Sequence, residues 1–453
     1  MERKLALSQK QRTRLKVISM YSERKITRKK AAEVLGMSER QVTRIRKEYE
    51  LLGDESIVHK NTGRAPSNAL LSGFKTKVLA IHAQPEYVGV NHTHFREILL
   101  EDHGIEISYS SLHRILAEAD RASPKKKRQP CRRKNRKRRE HPGELIQIDA
   151  TPFEWLGDKT KYALHGAIDD ATGEIVGLYM AANECLFGYF ETIRQCITDF
   201  GVPQSLYSDM HTIFRSPKAD KLSIEEVING KTVNLTQFGR AMHELGVDII
   251  HAKSPQAKGR VEKMWDTLQG RLPVEFRKRG ITSIEKVNQF LEEYRFTFNR
   301  LFSVTPEAQP IYVTFPKSET LDHFLCIKHE RRVTSTCVFS FRNRTFKIDT
   351  EGYPLISKGS KVTVYISPKN GILAEYAGNV FRTIRYIKPD VKKSEPQKET
   401  KRKTVQLNAI RPHINDYLKM WQEVWTGDSY QQEIQFLYEL FFSDAHRHTK
   451  RYG

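Results

Sequence analysis

Residues 145–155 read LIQIDATPFEW, residues 206–211 read LYSDMH, and residues 254–272 read SPQAKGRVEKMWDTLQGRL. Asp149 lies at the end of an apolar run of strand character, Asp209 at the end of another, and Glu262 opens a helical pattern. A single Asp closing a strand is most often a turn former or a helix cap. Three carboxylates from separate elements in this order can instead converge at one end of a sheet. There they can hold two divalent ions about 3.5–4 Å apart, polarising a phosphate oxygen and lowering the pKa of an attacking water or hydroxyl.

Outward from these residues the pattern is α/β. Residues 145–149, 162–169 and 175–180 read as strands, the last two joined by the turn Asp170-Ala171-Thr172-Gly173. Residues 187–200 form an amphipathic helix carrying Phe190, Ile193, Ile197 and Phe200. A strand at 203–208, a helix at 236–245, a strand at 248–251 and a helix from Glu262 toward Arg279 follow. Three antiparallel strands and then alternating helix and strand give an RNase H-like mixed sheet. Asp169 and Asp170 rival Asp149 as site carboxylates, but their sequence is good hairpin chemistry. Asp266, one turn beyond Glu262, reads as a solvated helix residue, and Trp155 and Trp265 as core.

The segments HPGELIQIDATPFEWLG (141–157), YALHGAIDDATGEIVGLY (162–179), the Ser208-Asp209 pair and HAKSPQAKGRVEKMWDTLQGRLPVEFR (251–277) carry a resemblance. Together they look like the core of bacterial insertion-sequence transposases of the DDE type, most like the ISNCY family, whose catalytic core is integrase-like. The most specific motif is 254–262, one strand after the second Asp. The resemblance implies that Asp149, Asp209 and Glu262 are the catalytic, metal-binding residues. It implies cleavage of a DNA strand at the element end by water, then attack of the freed 3′-hydroxyl on target DNA. Mg2+ suits an all-oxygen site, two ions per active site, with Mn2+ able to substitute. Lys253, Lys258 and Arg260 surround the start of the Glu262 helix, where they would grip DNA beside the metals. The sequence departs from retroviral-type integrases in an insertion at 211–233, expected to contact DNA or to be disordered in the free protein.

Upstream, residues 1–55 read as a helix-turn-helix domain. Gly36 suits the sharp turn, and Ser38 with Gln41 three positions on forms a capping box. Val34, Leu35 and Ile45 are available to its small core. Arg40, Gln41, Thr43, Arg44 and Lys47 then lie on the outer surface of the second helix, able to reach base edges and phosphates in a major groove. Residues 56–122 read as a second helical DNA-binding unit, and residues 123–140 as a basic linker that cannot bury a core. Lys125, Lys126, Lys127, Arg128, Arg132 and Arg133 of that linker would track the phosphate backbone. The catalytic core is expected over 141–312, a small β-barrel of five strands over 325–390, and a basic linker with a helical tail over 391–453.

Composition agrees. A formal charge of +22 points to a polyanionic partner. No apolar run approaches the roughly 20 residues of a spanning helix, and the amino terminus lacks the apolar core of a secretory signal. The expectation is a cytoplasmic, bacterial, nucleoid-associated protein with no membrane and no small-molecule substrate. Its partners would be double-stranded DNA, both element ends and target, and further copies of the chain on that DNA. The five cysteines show no CxxC pair, so His92 and His94 read as solvated or capping residues rather than zinc ligands. A rival function of another class is a catalytically inactive, sequence-specific DNA-binding regulator derived from a transposase. A standalone RNase H-type nuclease would leave the upstream readers and the barrel unexplained.

Overall fold

The computed structural model describes residues 8–57, 70–124, 137–217, 219, 233–252, 258–316, 320–341, 344–350 and 356–386. The chain divides into two compact units, Met1–Val78 and Leu79–Gly453.

In the first unit, helices α1 (Gln9–Ser22), α2 (Arg28–Leu35) and α3 (Glu39–Leu52) close on one small core. Val17, Ile18, Ala31, Ala32, Val42 and Ile57 are buried there, with Leu35 and Ile45 packed against them. The turn between α2 and α3 is made by Gly36 at φ +59°, a left-handed conformation that costs glycine little. Ser38 and Gln41 form the reciprocal capping box that starts α3. Val34, expected in this core, is 53% exposed; the inward stripe of this 8-residue helix runs through Ala31, Ala32 and Leu35, and Val34 falls beside it. Helix α4 (Ser72–His82) spans the boundary between the units.

The second unit opens with α5 (His92–Glu101) and α6 (Tyr109–Glu118), capped by Asn91 and Ser108. A five-stranded sheet follows: β1 (Ile146–Phe153), β2 (Tyr162–Asp169), β3 (Ile175–Ala181), β4 (Ser205–Ser208) and β5 (Asp248–His251), in spatial order β3-β2-β1-β4-β5. The first three strands are antiparallel, and β4 and β5 run parallel to β1. This is the mixed sheet expected. One boundary moves: β1 does not stop at Asp149 but continues through Phe153, because Ala150 to Phe153 pair in register with Tyr162 to His165 of β2.

Helices cover both faces of the sheet. Helices α7 (Leu186–Asp199) and α8 (Gln237–Glu244) lie over one, burying Phe190, Ile193, Phe238 and Met242 against Ile146, Ile148 and Leu206. Over the other lie α9 (Gly259–Gln269), α10 (Leu272–Lys278) and α11 (Ile284–Phe302), through Met264, Trp265, Leu268, Phe276, Leu291 and Phe298. Strand β3 is at the sheet edge, where backbone groups need partners. Side-chain amides supply them: Asn299 bonds the N–H and C=O of Ile175, Asn288 those of Met180, and Gln195 those of Leu178.

The carboxy-terminal sheet is antiparallel and nearly closed. Its strands are β6 (Ile327–Arg332), β7 (Val338–Phe341), β8 (Arg344–Ile348), β9 (Lys361–Ser367), β10 (Gly371–Tyr376) and β11 (Asn379–Arg385). It has six strands rather than five, in the order β6-β9-β10-β11-β8-β7. The additional strand, β6, reads IKHERR and lacks apolar alternation; its pairing with β9 along Ile327 to Arg332 makes it a strand. The interior of this sheet packs against Cys185 and Phe187 at the start of α7. Residues 391–453 lie outside the described residues.

Candidate active site

Strands β1 and β4 are parallel neighbours with Ile146 opposite Leu206 and Gln147 opposite Tyr207. Followed two residues past the paired positions, the two strands lead to Asp149 within β1 and to Asp209 just beyond the last residue of β4. Asp209 leaves β4 in a tight turn, its Oδ1 accepting the N–H of His211 at 2.9 Å.

Helix α9 lies across this point. Lys258, its N-cap residue, donates from Nζ to Asp149 Oδ1 at 2.9 Å, and Trp265 donates from Nε1 to Asp149 Oδ2 at 3.0 Å. Residues 258, 262 and 265 share one face of an α-helix. Glu262 therefore stands between two side chains that both touch Asp149, and it is itself exposed. The helix lies this close because β2 has no side chain at Gly166, the residue paired with Asp149. A Cβ there would stand 2.6 Å from the Trp265 ring and 2.9 Å from Met264 Cε.

A fourth carboxylate, unremarked in the sequence, borders the site. Glu184 precedes α7, accepts the Tyr189 hydroxyl at 2.6 Å and faces His211 Nδ1 at 3.8 Å. Burial raises its pKa, and the negative charges of Asp209 and Asp149 push the same way, against the Tyr189 bond and His211. Phe214, in the first part of the 211–233 insertion, is buried edge-on against Tyr189 and Phe238, with ring centroids 4.7 and 5.1 Å away. Residues 218 and 220–232 lie outside the described residues.

The rival carboxylates are occupied elsewhere. Asp169 accepts the N–H groups of Gly143, Ala171 and Thr172 and the hydroxyl of Tyr312; burial raises its pKa against those four bonds. Asp170 is fully buried and binds Gln147, Arg260 and the N–H of Arg139. Arg260 thus points to Asp170 and Lys258 to Asp149, both within the protein. Lys253 lies outside the described residues, as do Lys125, Lys126, Lys127, Arg128, Arg132 and Arg133. Among the described residues, no three His, Cys, Asp or Glu side chains stand close enough together to hold a metal ion.

In the first unit, Arg40, Gln41, Arg44 and Lys47 are exposed and Thr43 half-buried along α3. With Arg28 and Ser38 they line one concave surface.

His92 and His94 are buried rather than solvated, at 3% and 2% exposure. His92 Nε2 bonds the carbonyl of Arg121 at 3.2 Å, and His94 Nε2 bonds Glu275 Oε1 at 2.6 Å. Glu97 makes a two-pronged pair with Arg271 at 2.6 and 2.9 Å, and Asp102 pairs with Lys278. Helix α5 is in this way fastened to α10, directly after the Glu262 helix. The sequence could not show it, since the partners lie more than 170 positions apart.

Residues 8–57 match a homeodomain-like helix-turn-helix family model. The transposase for insertion sequence IS1202 of Streptococcus pneumoniae is 31% identical over 400 residues, covering 81% of this chain and 83% of that one. A protein named as transposase y4bF, from Sinorhizobium fredii, is 34% identical over 351 residues, covering 76% of this chain and 74% of its own length. Among solved structures, the catalytic core domain of HTLV-2 integrase aligns over 38% of this chain and 94% of that domain, at 17% identity and a TM-score of 0.27. The helix-turn-helix match marks the class, a DNA-binding protein. The relatives make it particular: the chain belongs to the insertion-sequence transposases. Among the described residues no helix is long and apolar enough to cross a membrane.

Proposed function

We propose that this chain binds the ends of its insertion sequence as a homo-oligomer in the bacterial cytoplasm, cleaves DNA there, and joins the freed 3′-hydroxyl to target DNA. The observation that carries the reading is the placing of Asp149 under the one face of α9 that holds Lys258, Glu262 and Trp265, on a strand parallel to the one that leads into Asp209. Asp149, Asp209 and Glu262 are an all-oxygen donor set of the kind Mg2+ or Mn2+ takes. The ammonium of Lys258 on Asp149 supports a cation at that carboxylate. With Glu262 drawn in from its exposed position, the three carboxylates would hold two divalent ions, whose chemistry is to stabilise the entering and leaving oxygens of an in-line displacement.

The chain's own residues do the rest. Trp265 orients the Asp149 carboxylate through one oxygen and leaves the other facing the cation position. The His211 N–H holds Asp209 in its turn. Arg40, Gln41, Thr43, Arg44 and Lys47 would enter a major groove at the element end, with the linker lysines and arginines and Lys253 adding phosphate contacts.

The test is incubation of the purified chain with Mg2+ and labelled DNA from both flanks of its gene, beside the Glu262→Gln variant. Nicking and joining to a plasmid by the wild type, absent in the variant, supports the assignment. Tight sequence-specific binding with neither reaction would make the chain a regulator.

A further inference from the structure

Arg260 sits in the KGR segment two residues before Glu262, where its charge alone reads as a phosphate contact. Its side chain turns inward. Nε donates to Asp170 Oδ1 at 3.0 Å, the carboxylate side chain being 0% exposed and the guanidinium side chain 23%. The same oxygen accepts Gln147 Nε2 at 2.8 Å, and Gln147 Oε1 accepts the backbone N–H of Val261 at 3.2 Å. The other Asp170 oxygen takes the N–H of Arg139 at 3.0 Å, and the Asp170 N–H bonds Leu145 C=O at 3.0 Å.

The first turn of α9 needs this support. Its initial N–H groups have no intrahelical acceptor, and the N-cap residue Lys258 makes no side-chain cap bond. Gln147, reaching from β1 two positions before Asp149, supplies the acceptor instead. A buried carboxylate is costly unless paired and fully hydrogen-bonded. Arg260, carried by α9, is a charge partner of Asp170, and Gln147 ties the same carboxylate to the Val261 N–H. Both ties are made by residues adjacent to Glu262 or one removed from it, so together they fix the rotation and axial position of the helix.

Accepting Glu262 as catalytic, we propose that Asp170, Arg260 and Gln147 are a positioning device for it, and that Arg260 serves strand cleavage through Asp170 rather than through a DNA phosphate. Asp170 is then a positioning residue at the base of the site, not a metal ligand.

The test uses the full chain and the variants Arg260→Gln, Arg260→Lys, Asp170→Asn and the double Asp170→Asn/Arg260→Gln. Read out are single-turnover cleavage, DNA affinity across salt, and amide hydrogen exchange of the first turn of α9. Each glutamine or asparagine variant is expected to lose about 10- to 100-fold in cleavage rate, with DNA affinity and its salt slope unchanged and faster exchange at Val261. The double variant should be no slower than the worse single one, and Arg260→Lys should recover most of the rate. A salt slope lowered by about one in Arg260→Gln, additive losses in the double variant, or wild-type rates in either single would overturn the proposal. If Asp170→Asn does not fold, the two Arg260 variants still decide. An inactive wild type would sink the catalytic reading of Glu262, while faster exchange in the variants would still uphold the positioning and unchanged exchange would refute it.

Discussion

Replacing Glu275 by Gln tests how the helices before the core are held to it. The Glu275 carboxylate is 7% exposed and meets His94 Nε2 at 2.6 Å, with Arg279 and Lys278 on its other oxygen. Burial by itself would raise its pKa; the hydrogen bond and charge of His94, and then Lys278 and Arg279, outweigh burial and bring it from 4.5 down to about 2. At about 1.36 kcal/mol for each pH unit, that depression corresponds to roughly 3 kcal/mol of stability. Because the folded value lies below the unfolded one, this stability is fully present above about pH 4.5 and is lost as pH falls toward 2. Glu275→Gln should therefore lower the unfolding free energy by roughly 3 kcal/mol at pH 5.5, similar to the ~3–5 kcal/mol of breaking a buried pair. The difference from wild type should shrink steadily between pH 4.5 and 2. Urea unfolding followed by fluorescence, with Trp155 and Trp265 as core reporters, measures it across that range. A variant within about 0.5 kcal/mol of wild type at pH 5.5, or a difference that does not change between pH 4.5 and 2, would refute the reasoning.

Trp265→Phe keeps an aromatic ring but removes the N–H on Asp149 and part of a buried side chain; a hydrogen bond to a charged group is worth about 1.5–3 kcal/mol, so cleavage should fall about tenfold or more, and the cavity should also lower the melting temperature. Gly166→Ala should destabilise the second unit by about 1–3 kcal/mol through overpacking under Trp265 and Met264, measured by thermal unfolding, and should slow cleavage as well. In the first unit, Arg44→Ala or Lys47→Ala should each reduce the slope of log affinity against log salt by about one in a filter or anisotropy assay, if each meets a phosphate. Ser38→Ala removes the capping box of α3 and should cost that unit about 1 kcal/mol, read from denaturation of the isolated 1–78 segment or its failure to fold.

The sequence by itself determined what depends on neighbours within a turn or a strand. The Ser38 and Gln41 cap, the Gly36 turn, the Asp170-Ala171-Thr172-Gly173 hairpin and the apolar runs of β1 to β4 all follow from local periodicity and turn chemistry. So did the mixed character of the sheet, since strands joined by short connections pair antiparallel and strands joined through helices pair parallel; that β4 pairs with β1 was decided by the fold. Tertiary structure decided the rest. Arg260 finds Asp170 across 90 positions of chain, and Lys258 finds Asp149 across 109. His94 looked solvated until Glu275 arrived beside it from 181 positions away, and β6, charged at five of its six positions when His329 is counted, became a strand only through the backbone of β9. A charged or polar side chain carries no local record of its partner. Its identity fixes what bond it can make, and only the folded chain fixes with whom.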